Sequence, residues 1–274
     1  MADIFKSKEH QSHFNEFGYV IIDAHLEKEI DELQTFIKTH LSGLGSDFYY
    51  SLISNDYEEN KQIRKKIREG LQSFYDKFLV AYKPLNESFL AKPANTAEEL
   101  LLHQDWCYTD EEKFHSLTLW MPLCDVDENN GALFFVTGSH KWFHNLRSCS
   151  FPTARISSKD VPRDKLKTAV MRKGQVLLFH PAGFHGSFPN NTNQHRIIVT
   201  SVILPQSADY VYFQAIKGDT GKNVKKFRLD EDVFLRELKT MAVGADPSTE
   251  EIDRFHYDHV EISPADLFAR AKAS

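Results

Sequence analysis

The spacing of hydrophobic positions along this chain changes near residue 87 and changes back after residue 205. At the start, the apolar strand Tyr19-Val20-Ile21-Ile22 is followed by Ile30, Leu33, Ile37 and Leu41, which share one helical face. Ile63, Ile67, Leu71, Phe74, Phe78 and Tyr82 continue that spacing along a longer amphipathic helix, with Pro84 as its expected stop. From Glu87 onward the apolar runs are short and bounded by Pro, Asn or Gly. They are Phe89-Leu90-Ala91, Leu100-Leu101-Leu102, Leu117 to Leu123, Ala132 to Val136, Val176 to Phe179 and Ile197 to Leu204. Strands of this length and spacing predict a jelly roll or barrel. After Pro205 the pattern returns to helix, with Val233 to Leu238 as one candidate. Ser263-Pro264-Ala265-Asp266 reads as an N-cap, a first-turn proline and a capping-box acid. The expectation is a single domain over 1–274, with a helical N-terminal region (residues 1–86), a jelly-roll core (87–205) and a helical C-terminal region (206–274). Residues 141–173 are polar and too long for a simple hairpin, which suggests an insertion or lid within the core.

Composition narrows the classes. With 41% hydrophobic and 26% charged residues the chain is an ordinary globular sequence, and 21 Phe with 10 Tyr suit a β-rich core. A net charge of -6 gives no global basic field for nucleic acid. No apolar run approaches the roughly 20 residues of a membrane span. The three cysteines, Cys107, Cys124 and Cys149, have no paired spacing, so a reducing compartment is expected. Met1 to His10 is polar and the last residues, Ala-Lys-Ala-Ser, are not the peroxisomal Ser-Lys-Leu address; the expected location is cytoplasmic.

The candidate chemistry centres on His103-Gln104-Asp105. In a strand, residues two apart project to one side, so His103 and Asp105 can approach one ion together. Adding His185 from a distant strand makes two imidazoles and one carboxylate, the facial donor set of non-haem Fe(II) oxygenases. His180 competes with His185 for this place. The Asn190-Asn191-Thr192-Asn193 segment reads as a hairpin turn, which would set Ser187 roughly opposite Arg196 with His185 on the same face. A 2-oxo acid chelating iron at one end and pairing with Arg196 and Ser187 at the other would fit that row.

These pieces resemble the phytanoyl-CoA dioxygenase family of Fe(II)/2-oxoglutarate oxygenases. The resemblance rests on Gly18-Tyr19-Val20-Ile21-Ile22, His103-Gln104-Asp105, Leu119-Trp120-Met121-Pro122-Leu123, Asn130-Gly131-Ala132, Gly138-Ser139-His140-Lys141, Gly174 to His180, His185-Gly186-Ser187 and Arg196. Together they span residues 18–204 in family order. Thr137 departs from the proline usual before Gly-Ser-His, in a turn away from the metal motif. The resemblance implies a double-stranded β-helix, cupin-like, with Fe(II) held by His103, Asp105 and His185. It implies that Arg196 takes the distal carboxylate of 2-oxoglutarate and that Ser187 and Trp120 line the co-substrate. O2 is then the second co-substrate and ascorbate the in vitro reductant.

The expected activity is hydroxylation of a C–H bond in a small molecule, with an acyl-CoA or a carrier-protein-bound acyl group as candidates. Desaturation, ring formation and halogenation are related outcomes; halogenation is disfavoured by Asp105, which fills the position a halide would need. A zinc hydrolase would need a general base beside the metal, and no His-Glu-x-x-His motif occurs. A non-catalytic relative on the same barrel is the remaining class. Trp120 is as readily a core residue as a pocket wall, Lys92 reads as a solvated lysine, and His140 as a turn residue. His10 with His13, and His256 with His259, read as surface pairs at helical spacing. Between 141 and 173 nine Lys and Arg stand against Asp160 and Asp164, so a lid that reads an anionic substrate is expected.

Overall fold

The computed structural model describes residues 3–40, 44–45, 47–216 and 223–273. Helix α1 (Lys8–Phe17), N-capped by the Ser7 side chain, ends at Gly18 and leads into β1 (Tyr19–Asp23). Then come α2 (Glu27–His40), β2 (Tyr49–Tyr50), the short α3 (Ser51–Ser54) and α4 (Tyr57–Phe78). An Asp56/Glu59 capping box starts α4. Next are β3 (Tyr82–Lys92), β4 (Leu100–His103), β5 (Leu117–Pro122), β6 (Leu133–Val136) and β7 (Leu166–Thr168). They are followed by β8 (Gln175–Phe179), β9 (His185–Ser187) and β10 (Arg196–Pro205). The last elements are β11 (Val211–Ala215), β12 (Asn223–Arg228), α5 (Glu231–Met241), β13 (Glu251–His256) and α6 (Pro264–Ala273).

Two antiparallel sheets face each other, one of six strands in the order β1-β8-β5-β10-β3-β2 and one of four in the order β4-β9-β6-β7. This is the double-stranded β-helix expected of the sequence. Alternation along each strand sorts its side chains. Val199 and Ile203 of β10, Leu117, Leu119 and Met121 of β5, and Val176 and Leu178 of β8 face outward. There they meet Ile30, Leu33 and Ile37 of α2 and Ile63, Ile67, Leu71 and Phe74 of α4. Each such side chain, fully buried, contributes about 1.5–3 kcal/mol. The opposite face carries Trp120, Leu177, Phe179 and Ile198 inward against Leu133 and Phe135 of the smaller sheet. Among the described residues no helix is long and apolar enough to cross a membrane.

Four expectations change. First, α4 stops at Phe78, and Tyr82 and Pro84 belong to β3. Pro84 is tolerated because β2 pairs only with Leu90 and Ala91, leaving a free edge beside it. With β1 also inside the large sheet, residues 1–86 are not a separate helical region; Leu41 lies outside the described residues. Second, residues 206–274 are not simply helical. Strands β11, β12 and β13 form a three-stranded antiparallel sheet beside α5 and α6. Val211, Phe213 and Val224 of that sheet pack on Cys107 and Phe151. His256 accordingly ends a strand, not a helical turn.

Third, no β9–β10 hairpin forms. Ser187 pairs with Leu100 and Leu133 in the smaller sheet, whereas Arg196 pairs with Lys92 in the larger one. The Asn-rich turn crosses between sheets, held by buried Asn190, which donates to the Pro93 and Gln194 carbonyls. Fourth, residues 141–173 are packed down instead of forming a detached lid. Ile156 exchanges backbone hydrogen bonds with Leu102, Val161 joins Phe134 and Phe184, and β7 pairs with β6.

A buried ion network ties the helices to the large sheet. Glu87 of β3 is fully buried and accepts from Arg68 of α4 at 2.5 and 2.8 Å; Arg68 also reaches Glu231 of α5 at 2.6 Å. Removing the cation would leave a buried carboxylate without its partner. Arg68→Met should therefore cost about 3 kcal/mol in chemical denaturation, and adding Glu87→Gln to it should restore most of the loss. A single variant as stable as the parent would show that the network carries no fold energy.

Candidate active site

Strand pairing builds the centre of the site. In the β4–β9 ladder His103 stands directly across from His185, with ring centroids 4.5 Å apart. Asp105, just past the end of β4, brings Oδ1 to 3.8 Å from His103 Nε2 and 3.5 Å from His185 Nε2. Among the described residues this is the one group of three or more His, Cys, Asp or Glu whose ligand atoms converge within 4.8 Å. Gly186 makes the close approach possible, since a Cβ there would run into the Leu100 carbonyl oxygen and the Phe134 ring.

The hydrogen bonds around the three side chains define what they can hold. His103 Nδ1 lies 2.8 Å from the Leu101 carbonyl and His185 Nδ1 2.9 Å from that of Gly183. A carbonyl only accepts, so both Nδ1 atoms carry the proton and both Nε2 lone pairs face Asp105. Burial, with His185 alongside, pushes the His103 imidazole down to about 4, which keeps it neutral and a donor of electrons. Burial would raise the Asp105 carboxyl, but the attraction and hydrogen bond it would gain from His185, and the attraction from His103, whenever either imidazole is protonated, together with a hydrogen bond from Thr118, prevail and hold it below the carboxylate range. Two imidazole nitrogens and one anionic oxygen suit a divalent transition metal.

A second cluster forms where β10 begins. Arg196 and Lys92 are direct cross-strand partners, both buried. Lys92 donates to Ser187 Oγ at 2.9 Å and also to the Phe188 carbonyl. The Arg196 guanidinium sits 5.3 Å from the centroid of the Trp120 ring, and its Nε has no hydrogen-bond partner among the described residues. Burial and the neighbouring Arg196 push Lys92 down to about 7, and burial lowers Arg196 to about 10. Gly131, at φ +89°, leaves the room this pair needs; a Cβ would lie 3.1 Å from Lys92 Cδ and 3.6 Å from Arg196 Nε. Two buried basic side chains with an orphaned donor could accept a carboxylate.

The sequence-derived residues thus fall into two groups, His103, Asp105 and His185 in one, and Ser187, Arg196 and Trp120 in the other. Ser187 joins Arg196 through Lys92, which is not the solvated lysine expected. The missed signal was the inward alternation of Leu90 and Lys92 just before Pro93. Trp120 is both core and wall. His180 is outside the triad: its Nδ1 accepts from the Ala182 N–H at 3.1 Å, so its Nε2 proton is donated to His115 Nδ1, also 3.1 Å away. His140 is buried against the Gly18 backbone. Burial raises the Cys107 thiol to about 11, so it is no nucleophile.

The basic segment divides as well. Arg147 is buried and bonded to Glu111, while Arg172 and Lys173 pair with Asp23 and Asp31. Arg155 is exposed beside the Ile156–Leu102 bridge, and its charge acts on His103. A cavity of about 940 Å³, lined by Phe14, Glu111, His115, His180, Phe213 and Tyr257 among others, lies on the flank and does not include the triad.

The sequence pattern of the phytanoyl-CoA dioxygenase (PhyH) family matches residues 14–198. The peroxisomal phytanoyl-CoA dioxygenase of Bos taurus is 21% identical over 288 residues, covering 85% of this chain and 80% of the relative. The Homo sapiens protein is 22% identical over 255 residues, covering 80% and 73%. Among solved structures, the epimerase SnoN in complex with Fe3+, alpha ketoglutarate and nogalamycin RO superposes with a TM-score of 0.54 at 18% identity, covering 74% of this chain and 85% of its own. HygX from Streptomyces hygroscopicus, with nickel and 2-oxoglutarate bound, gives 0.53 at 16% identity, covering 73% and 88%. The carbocyclase SnoK gives 0.52 at 22%, covering 74% and 86%. These structures share the double-stranded β-helix. Since the matched stretch runs from the first helix into the strand that begins with Arg196, and contains the three converging side chains, the chain belongs to the phytanoyl-CoA dioxygenase (PhyH) family.

Proposed function

We propose that this protein is an Fe(II)/2-oxoglutarate-dependent dioxygenase that hydroxylates a C–H bond of a small, anionic metabolite or an acyl group carried on CoA or a carrier protein. The observation that carries the reading is the pairing of two separate sites in one barrel: a converging His-His-carboxylate set and a buried Arg196–Lys92 pair without a carboxylate partner among the described residues. A zinc hydrolase would leave the second site without a role. Fe(II) would be held by His103 Nε2, His185 Nε2 and Asp105 Oδ1. Arg196 and Lys92 would bind the distal carboxylate of 2-oxoglutarate, with Ser187 orienting Lys92 and Trp120 stacked against Arg196. Iron, 2-oxoglutarate and O2 supply the oxidising equivalents for C–H cleavage, with release of succinate and CO2.

The rest of the chain's contribution is orientation and exclusion of water. Leu177, Phe179 and Ile198 on the inner face of the large sheet make the interior of the barrel apolar. The Leu101 and Gly183 carbonyls hold both imidazoles in the metal-binding tautomer. Arg155 supports the anionic substrate, since an exposed cation beside the His103 strand would draw an acidic group toward the metal end. SnoN and SnoK, an epimerase and a carbocyclase, share the fold.

Three outcomes test this reading. Fe(II) with 2-oxoglutarate should release succinate above background when a metabolite panel contains the substrate, and Zn(II) should not replace it. His103→Ala, Asp105→Ala or His185→Ala should each abolish turnover, while His180→Ala should keep metal binding. Full hydrolytic activity with zinc alone would refute the oxygenase reading.

Arg196→Ala should weaken 2-oxoglutarate binding by about 2–5 kcal/mol with a smaller effect on metal affinity, measured by titration of the metal-loaded protein. Lys92 is a cation below its value of about 7 and neutral above it. Binding of the dianion should therefore be tighter at pH 6 than at pH 8, and Lys92→Met should remove that dependence. A pH-independent affinity in the parent protein would mean that Lys92 does not meet the co-substrate.

Arg155→Glu should lower kcat/KM for the anionic substrate and flatten its dependence on salt, leaving substrate-free 2-oxoglutarate consumption unchanged. Wild-type salt dependence in this variant would remove the segment from substrate capture.

A further inference from the structure

We infer that Thr118 is a positioning residue that turns Asp105 so that one carboxylate oxygen serves the metal and the other is withheld from it. The inference rests on the iron-site reading above. His103 and His185 are placed by strand register, each facing the other across the β4–β9 ladder. Asp105 has no such support, because it lies beyond the end of β4. Its backbone is held by an N–H bond to the Pro181 carbonyl at 2.9 Å and by Arg147 Nε, 2.7 Å from its carbonyl. Neither bond sets the rotation of the side chain. Thr118 Oγ1 does so, by donating to Asp105 Oδ2 at 2.8 Å. Oδ1 is left facing the two Nε2 atoms.

Thr118 is well placed for this task. It sits in β5, a central strand of the six-stranded sheet, paired with Val202 on one side and Phe179 on the other. Its side chain points inward, on the face that also carries Trp120. A β-branched side chain on such a strand is stiff about χ1, so the hydroxyl has a defined direction. Valine would match its shape, and its direct cross-strand partners, Val202 and Phe179, are apolar. A hydroxyl there costs desolvation unless it bonds, and its bond goes to the one metal-facing carboxylate.

The consequence concerns coordination number. A metal held by these three side chains and by a two-point chelator would need a remaining open position to take up O2. A carboxylate free to offer both oxygens would compete for that position. A hydrogen bond from Thr118 to Oδ2 opposes this, and so favours the single-oxygen mode that keeps the site open.

The test uses the full-length protein loaded with Co(II), whose visible bands weaken as coordination number rises. Thr118→Val removes the hydroxyl at constant shape, and Thr118→Ser keeps it. The valine variant should bind Co(II) about 10–100-fold more weakly and show weaker visible bands. The serine variant should stay close to the parent in both. Loss of fold alone would change the melting curve of both variants without restoring the spectrum in serine. The inference is overturned if the valine variant has parental affinity and spectrum, or if serine behaves as valine does. The combined His103→Ala/His185→Ala variant separates the two readings: if Co(II) binding survives it, the metal is not at the triad, and the role of Thr118 falls with the site itself.

Discussion

The convergence of His103, Asp105 and His185 depends on the β4–β9 pairing, which sets His103 across from His185. Side chains alternate with a period of two, so a slip of one residue would send one imidazole to the far side of the sheet and leave no site. Several contacts hold this register. Strand β9 is paired on its other edge to β6, and Gly186 fits where a Cβ would strike Leu100 and Phe134. The Asp105 N–H bonds the Pro181 carbonyl in the turn that leads into β9, so the carboxylate and the second histidine are positioned by the same few residues.

The Arg196–Lys92 cluster works by a different principle. Placing two cations side by side in the interior works against folding. Burial weakens the hold of both on their protons, the guanidinium weakens that of Lys92 further, and neither has a carboxylate partner among the described residues. In the proposed function a ligand carboxylate would supply the missing charge. The face of the Trp120 ring and the Ser187 hydroxyl moderate the cost. The fold energy that tolerates it comes from elsewhere, from the outer faces of β5, β8 and β10 under α2 and α4, and from the buried Glu87–Arg68–Glu231 network.

Much of this architecture was legible from periodicity. The runs at Leu100–Leu102, Leu117–Leu123, Val176–Phe179 and Ile197–Leu204 became β4, β5, β8 and β10, because a strand's alternation and its bounding Pro, Asn and Gly are local properties. The expectation of a hairpin at Asn190 failed for a non-local reason. An Asn-rich turn fits a tight hairpin or a crossing between sheets equally well, and buried Asn190, bonded to Pro93 and Gln194, decides for the crossing. The C-terminal sheet was missed because the apolar residues of β12, Val224 and Phe227, are separated by lysines and gain meaning only beside Val211 and Phe213.

By itself the sequence determined the donor atoms: two imidazoles, a carboxylate and a guanidinium, in an order that matches one family, on segments whose period is that of strands. These are properties of residue type and near neighbours, and they do not change with the partner a strand finds. Tertiary structure decided the rest. It placed Lys92 between Ser187 and Arg196, removed His180 by pairing it with His115, and packed Ile156 and Val161 of the basic 141–173 segment into the framework. It also brought Thr118 to the free oxygen of Asp105. Each of these is a contact between segments far apart in the chain, set by which sheet a strand joins and in which register.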